Sequence, residues 1–173
     1  ASRCIKSKCL VIIFLTTRLL TIGIGLYGLM FMFVDDIGSA HFKAKVAASP
    51  IIWSFHLIGG GTALILSTFV LSSRLRQSSV KTHKALGKLY FLAIIFGSVG
   101  GLILSFDTDS NLISDVGLGL LSLFWFLSTL MAYLSARNRN LADHKMWVYR
   151  SFVLTLSAVL FRVELGVLTA LTD

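Results

Sequence analysis

A chain of 173 residues has the length of one soluble domain, but this one is 55% hydrophobic and only 14% charged, against about 25% charged in soluble proteins. With a mean hydropathy of +0.83, it cannot cover itself with a water-facing surface, and lipid is the solvent that accommodates the excess. Its net charge of +8 sits between the apolar segments, without a basic stripe alternating with aromatics, so nucleic acid is excluded as a partner. Membrane lipids with anionic headgroups account for the charge, at about 1 kcal/mol per basic residue near the surface.

A helix crosses the hydrocarbon core with about 20 mostly apolar residues. Five stretches meet that need, at 10–34, 51–71, 87–106, 116–136 and 147–171. The first resembles a signal sequence at its start, yet its apolar run continues through Val34, which suits a retained span. It contains Arg18, and the basic tail before it carries Cys4 and Cys9. These cysteines lack the spacing of a metal motif and are expected to be reduced in a cytoplasmic tail, where palmitoylation rests on position alone. No initiator methionine opens the chain, which leaves its natural start undecided. Residues 35–50 are too polar for a span and are expected to form a short interfacial segment. The fourth span has no charge, whereas the fifth carries Arg150, Arg162 and Glu164 around the run SFVLTLSAVLF. Long unbroken apolar runs argue against a strand barrel, whose strands alternate inward and outward. The expected fold is therefore all-α, a single integral-membrane domain of five helices.

The connections orient it. Arg3, Lys6 and Lys8, then Arg74, Arg76, Lys81, Lys84 and Lys88, then Arg137, Arg139 and Lys145 fall on one side of a five-span chain. The opposite links hold Asp35, Asp36, Lys43 and Lys45, then Asp107, Asp109 and Asp115. The positive-inside rule places the N-terminus in the cytoplasm and the C-terminus outside, in a plasma or inner membrane.

Chemistry must reside within the bundle or at its rims, because the links are too short for another domain. GxSxG, HExxH and P-loop signatures are missing, so no catalytic residue is assigned. THKALGKLY puts His83, Gly87 and Tyr90 on one helical face, which continues through Ile94, Gly97 and Gly101. Read structurally, the glycines allow close packing, and Gly97–Gly101 would face another subunit; read functionally, His83 is presented to a cofactor. LADHKMWVYR places Asp143, His144, Lys145, Trp147 and Arg150 at the mouth of the last span, with Asp143 as the helix cap. His83 and His144 begin different spans on the same side. That arrangement suits two axial ligands of one b-type haem, with Tyr90 and Arg150 contributing contacts; interface histidines bonded to loop carbonyls are the structural alternative. His56 lies near the other end and His41 in a loop, so a second haem is not expected. Arg162 and Glu164 fall at the depth of His56, and the three would line an outer polar pocket unless the charges snorkel to the interface.

These pieces together resemble the uncharacterised DUF2306 family of membrane proteins. The matching segments are HLIGGGTALILSTFVLSSRLR from His56, THKALGKLYFLAIIFG from Thr82 and ADHKMWVYRSFVLTLSAVLFRVELG from Ala142, covering roughly 56–166. The resemblance carries the family pattern onto His56, Arg76, His83, Gly87, Tyr90, His144, Trp147, Arg150 and Arg162. His83-Lys84 stands where the family often has His-Arg, which keeps the charge and loses the bidentate fork. The family implies no established activity, and its distant likeness to membrane two-haem cytochromes adds to the haem reading. Three functions are thus open: a component or assembly partner of a membrane complex, including a homo-oligomer; a haem b electron-transfer protein; and a protein that binds or transports a lipid, quinone or small solute.

Overall fold

The computed structural model describes the backbone of residues 2–34, 40–106 and 112–172, and their side chains except at 2–14, 40, 41, 158, 162 and 165–172. The described residues form seven helices and no strand: α1 (Ser2–Met30), α2 (Ala40–Ala48), α3 (Pro50–Val70), α4 (Ser73–Ser78), α5 (Val80–Leu104), α6 (Leu112–Arg137) and α7 (Leu141–Thr172). The fold is the expected all-α membrane bundle. By length and composition α3, α5 and α6 suffice to cross a membrane, and Leu15–Met30 of α1 is a shorter apolar stretch.

Local chemistry sets several helix boundaries. Pro50 opens α3 in the first turn, where its missing N–H costs nothing. Ser79 starts α5 by accepting from the Thr82 backbone N–H at 3.2 Å. At α7 the cap is Asn140, not Asp143: Asn140 Oδ1 accepts from the Asp143 N–H at 3.2 Å, and Asn140 Nδ2 donates back to Asp143 Oδ2 at 2.7 Å. This is a reciprocal cap in which the acidic residue serves from the first turn. Residue 41, expected in a loop, belongs to the short helix α2.

The bundle is assembled on α3, which packs against both α1 and α5. Gly59 meets the Gly97 backbone so closely that neither position accommodates a side chain without displacement, and a Cβ on Gly100 would stand 2.7 Å from the His56 backbone nitrogen. Gly25 and Gly61 make the equivalent approach between α1 and α3, each 2.8 Å from the other's carbonyl at the Cβ position. In lipid, where burial of apolar surface gives little drive, such backbone proximity and the dispersion it permits hold helices together. The expectation that Gly97–Gly101 would face another subunit is therefore corrected: Gly97, Gly100 and Gly101 are buried against α3 and its neighbours.

Ala63, Leu66, Val70, Tyr90, Ala93 and Ile94 form the core between α3 and α5, with Leu86 and Trp125 against it. Arg18 reaches inward from α1, donating to the Thr68 carbonyl at 3.0 Å. Leu19, Leu92, Val153 and Leu160 point outward, as lipid-facing side chains should.

Candidate functional site

Two polar loci stand at different depths of the bundle. The first is at the basic rim, where α5 and α7 begin. His144 is half-buried, and its Nδ1–H donates to the Ala132 carbonyl of α6 at 2.8 Å. In the neutral ring this bond selects the tautomer with the proton on Nδ1. His83 is also half-buried. Its Nδ1 is shielded and has no hydrogen-bond partner among the described residues, and Arg76 and His144 lie within electrostatic reach of it. Arg150 lies over the Trp147 ring, 4.3 Å from its centroid.

Tyr90 is on the His83 face of α5 but seven residues further in, about 10 Å along the axis. Its hydroxyl lies between Ser151 and Thr155 of α7, at 3.2 Å from each. Thr129 Oγ1 meets Ser151 Oγ at 2.7 Å, and Trp125 Nε1 donates to Thr155 Oγ1 at 2.9 Å. The hydroxyls and the indole thus satisfy one another at a depth where an unpaired polar group costs several kcal/mol. They tie α5, α6 and α7 together through polar contacts rather than small residues.

Beyond this cluster, toward the opposite rim, a cavity of about 1130 Å³ opens between α1, α3, α5, α6 and α7. Its size is slightly above the ordinary range for ligand sites, about 300–1,000 Å³. Most of the wall is Leu, Gly and aromatic side chain, including Tyr27, Phe42, Trp53 and Trp125. Phe31, Phe42, Trp53 and His56 follow one another in edge-on contacts with centroids 4.7, 4.9 and 6.4 Å apart, which pins α2 across the end of α1 and α3. Glycine keeps the interior open. Gly28, Gly60 and Gly117 line the cavity, and a Cβ on any of them would meet nothing within 4 Å.

The polar lining is concentrated on α3, α6 and α7. His56 Nδ1–H donates to the Gly97 carbonyl at 3.0 Å, while Ser122, Trp125 and Thr155 line the cavity from α6 and α7. Among the described residues that line it, none is Asp, Glu, Lys or Arg. The matching region of the chain runs over residues 53–172, where the sequence fits the family described as a predicted membrane protein, DUF2306. The chain belongs to the DUF2306 family. No curated protein and no solved structure matches it. His56, Gly101, Ser122, Trp125 and Thr155 all fall inside the DUF2306 region, whereas α1 supplies a wall from outside it.

The expected residues are distributed over both loci. His83 and His144 occupy one rim, within electrostatic reach but without a hydrogen bond to each other among the described residues. Tyr90 is turned into α7, and Arg150 is engaged with Trp147. His56 lines the cavity, whereas Glu164 is exposed and is not among its lining residues. The Arg162 side chain lies outside the described residues. Ser122, Trp125 and Thr155 were not singled out by the sequence reading. Their one signal was a recurrence of hydroxyl residues and a tryptophan within an otherwise apolar fourth and fifth span.

Proposed function

We propose that this DUF2306 protein binds an uncharged lipophilic molecule, a lipid, a quinone or a small solute, inside its helical bundle. The observation that carries this reading is the cavity of about 1130 Å³, apolar with a few convergent polar groups. A wall of Leu and aromatic side chains accepts an apolar body, and a small number of hydrogen-bonding groups orients it. An assembly role loses its motivation once the Gly97–Gly101 face is used within the chain. Extraction into a mild detergent followed by native mass spectrometry tests the reading: the protein should carry an additional small lipophilic mass. A preparation that retains only exchangeable detergent, even after incubation with membrane lipid extract, would count against it.

The arrangement proposed within the membrane has five spans, α1, α3, α5, α6 and α7, with the basic rim in the cytoplasm. Epitope tags should then be protected at one terminus and accessible at the other in sealed cells. Both tags on one side would overturn the odd span number.

A second reading is supported by His144, whose Nδ1–H anchorage to Ala132 O is the device by which proteins orient a histidine for a metal. Together with the shielded Nδ1 of His83, it fits a b-type haem between the starts of α5 and α7, which would supply one-electron chemistry. Arg150 would have to leave Trp147 to meet a propionate. Purified protein should then show a haem spectrum that changes on reduction and is lost in both His83→Ala and His144→Ala. Haem content unaffected by either substitution excludes this pair.

A further inference from the structure

The lining of the cavity narrows the ligand beyond lipophilicity. Ser122 projects from the middle of α6, is only 8% exposed and lines the cavity. Its Oγ has no hydrogen-bond partner among the described residues, unlike Thr129 on the same helix, which bonds both the Trp125 carbonyl and Ser151. A helical serine in an apolar setting ordinarily donates back to the preceding turn; Ser67, Ser98 and Ser105 all do so here. Ser122 forgoes that bond and leaves its hydroxyl at the cavity surface.

The missing side chain at Gly101 lets Ser122 Oγ and the His56 ring pack directly on α5. The position where a Cβ on Gly101 would stand is 2.8 Å from Ser122 Oγ and 3.0 Å from His56 Nδ1. A side chain there would collide with both, so Gly101 brings the hydroxyl and the imidazole to one place at the cavity wall. Leu20 and Tyr27 of α1 and Phe161 and Val163 of α7 also line the cavity and are each 41–50% exposed.

Among the described residues that line the site none is Asp, Glu, Lys or Arg, so a carboxylate or phosphate carried in would meet no Lys or Arg among them, at a desolvation cost no hydroxyl recovers. A pure hydrocarbon would leave Ser122 unpaired. We propose that the ligand is an uncharged lipophile with a hydrogen-bonding oxygen, a carbonyl or hydroxyl, seated on Ser122 at the cavity wall. This rests on the lipophile-binding reading and specifies which lipophiles are accepted.

The probe is decylubiquinone, added to full-length protein in nanodiscs of uncharged lipid and detected by quenching of tryptophan fluorescence. Trp53 and Trp125 line the cavity and Trp147 does not, so the measurement uses a Trp147→Phe background. Quenching should saturate. Ser122→Ala should weaken it about tenfold, the effect of losing one buried hydrogen bond, and should not impair folding, since Oγ holds no partner within the chain. Ser122→Cys keeps the volume and should weaken it as much, whereas a packing role would be rescued by the thiol. Dodecanol should compete, and dodecanoate should compete at least tenfold less well. Saturable quenching that is indifferent to both substitutions, or equal competition by dodecanoate, overturns the Ser122 assignment while leaving lipophile binding in place. Absence of saturable quenching, with no competition by dodecanol, overturns both.

Discussion

Replacing Gly59 by leucine is expected to separate α3 from α5 and to cost more stability than any other single change in the bundle. A Cβ at Gly59 would stand against the Gly97 backbone nitrogen and 2.6 Å from the Ala93 carbonyl oxygen. Both obstacles are main chain in a continuous helix, so no rotamer change relieves them. Overpacking of a core commonly costs about 1–3 kcal/mol, and here the whole α3–α5 interface must open before the side chain fits. The penalty should be at or above the upper end of that range. It would also move the His56 ring, whose bond to the Gly97 carbonyl spans 3.0 Å across the same contact. In detergent the thermal midpoint should fall by roughly 10 °C, taking about 2–4 °C per kcal/mol for a chain of this size. Gly87→Ala is the matched control. It is also on α5, a Cβ there meets nothing within 4 Å, and removal of backbone freedom should raise stability by about 0.5–1 kcal/mol. Equal midpoints for Gly59→Leu and the wild type would mean that α3 and α5 do not meet at this point.

The contrast between these glycines shows what the sequence could and could not disclose. Helix class was legible, because runs such as those at 51–71 and 87–106 leave the backbone no other way to satisfy itself in lipid. That His83 and His144 share a rim was also legible, since both precede apolar runs and follow basic links. Partner choice was not. A helix face of His83, Gly87, Tyr90, Ile94, Gly97 and Gly101 is equally compatible with an external subunit and with a neighbour in the same chain; distance to α3, not periodicity, decides between them. Polar function in the interior was hidden for a related reason. The sequence drew attention to Arg162 and Glu164 because charges in a span are expensive, whereas the polar groups that join His56 in the cavity wall include Ser122, Trp125 and Thr155, which are inexpensive and therefore unremarkable one by one. They acquire meaning only where Trp125 Nε1 meets Thr155 Oγ1 at 2.9 Å and Ser122 Oγ has no hydrogen-bond partner among the described residues. The cavity itself leaves no local mark in sequence, because a glycine that admits a helix and a glycine that admits a ligand are the same letter.

That ambiguity yields the sharpest test of the cavity. Gly60 follows Gly59 directly, yet it lines the void, and a Cβ there meets nothing within 4 Å. Gly60→Trp should therefore place an indole in the space without prising α3 from its neighbours. Stability should stay within about 1 kcal/mol of the wild type: removing a mid-helix glycine gains about 0.5–1 kcal/mol, while an aromatic residue loses part of this through restricted rotamers. Ligand binding should not survive. A large rigid ring occupies the volume that an apolar ligand needs, and the displaced contacts are the dispersion contacts on which affinity in such a site depends. Affinity for a lipophile should drop at least a hundredfold, about 2.7 kcal/mol, and any mass that co-purifies with the wild type should be missing from the variant. The measurement pairs a melting curve with native mass spectrometry on the same preparation. A stable Gly60→Trp protein that retains the bound mass would show that the ligand sits elsewhere. An unstable one would show that α3 is packed on this side too and that the space beside Gly60 is not a cavity in the membrane.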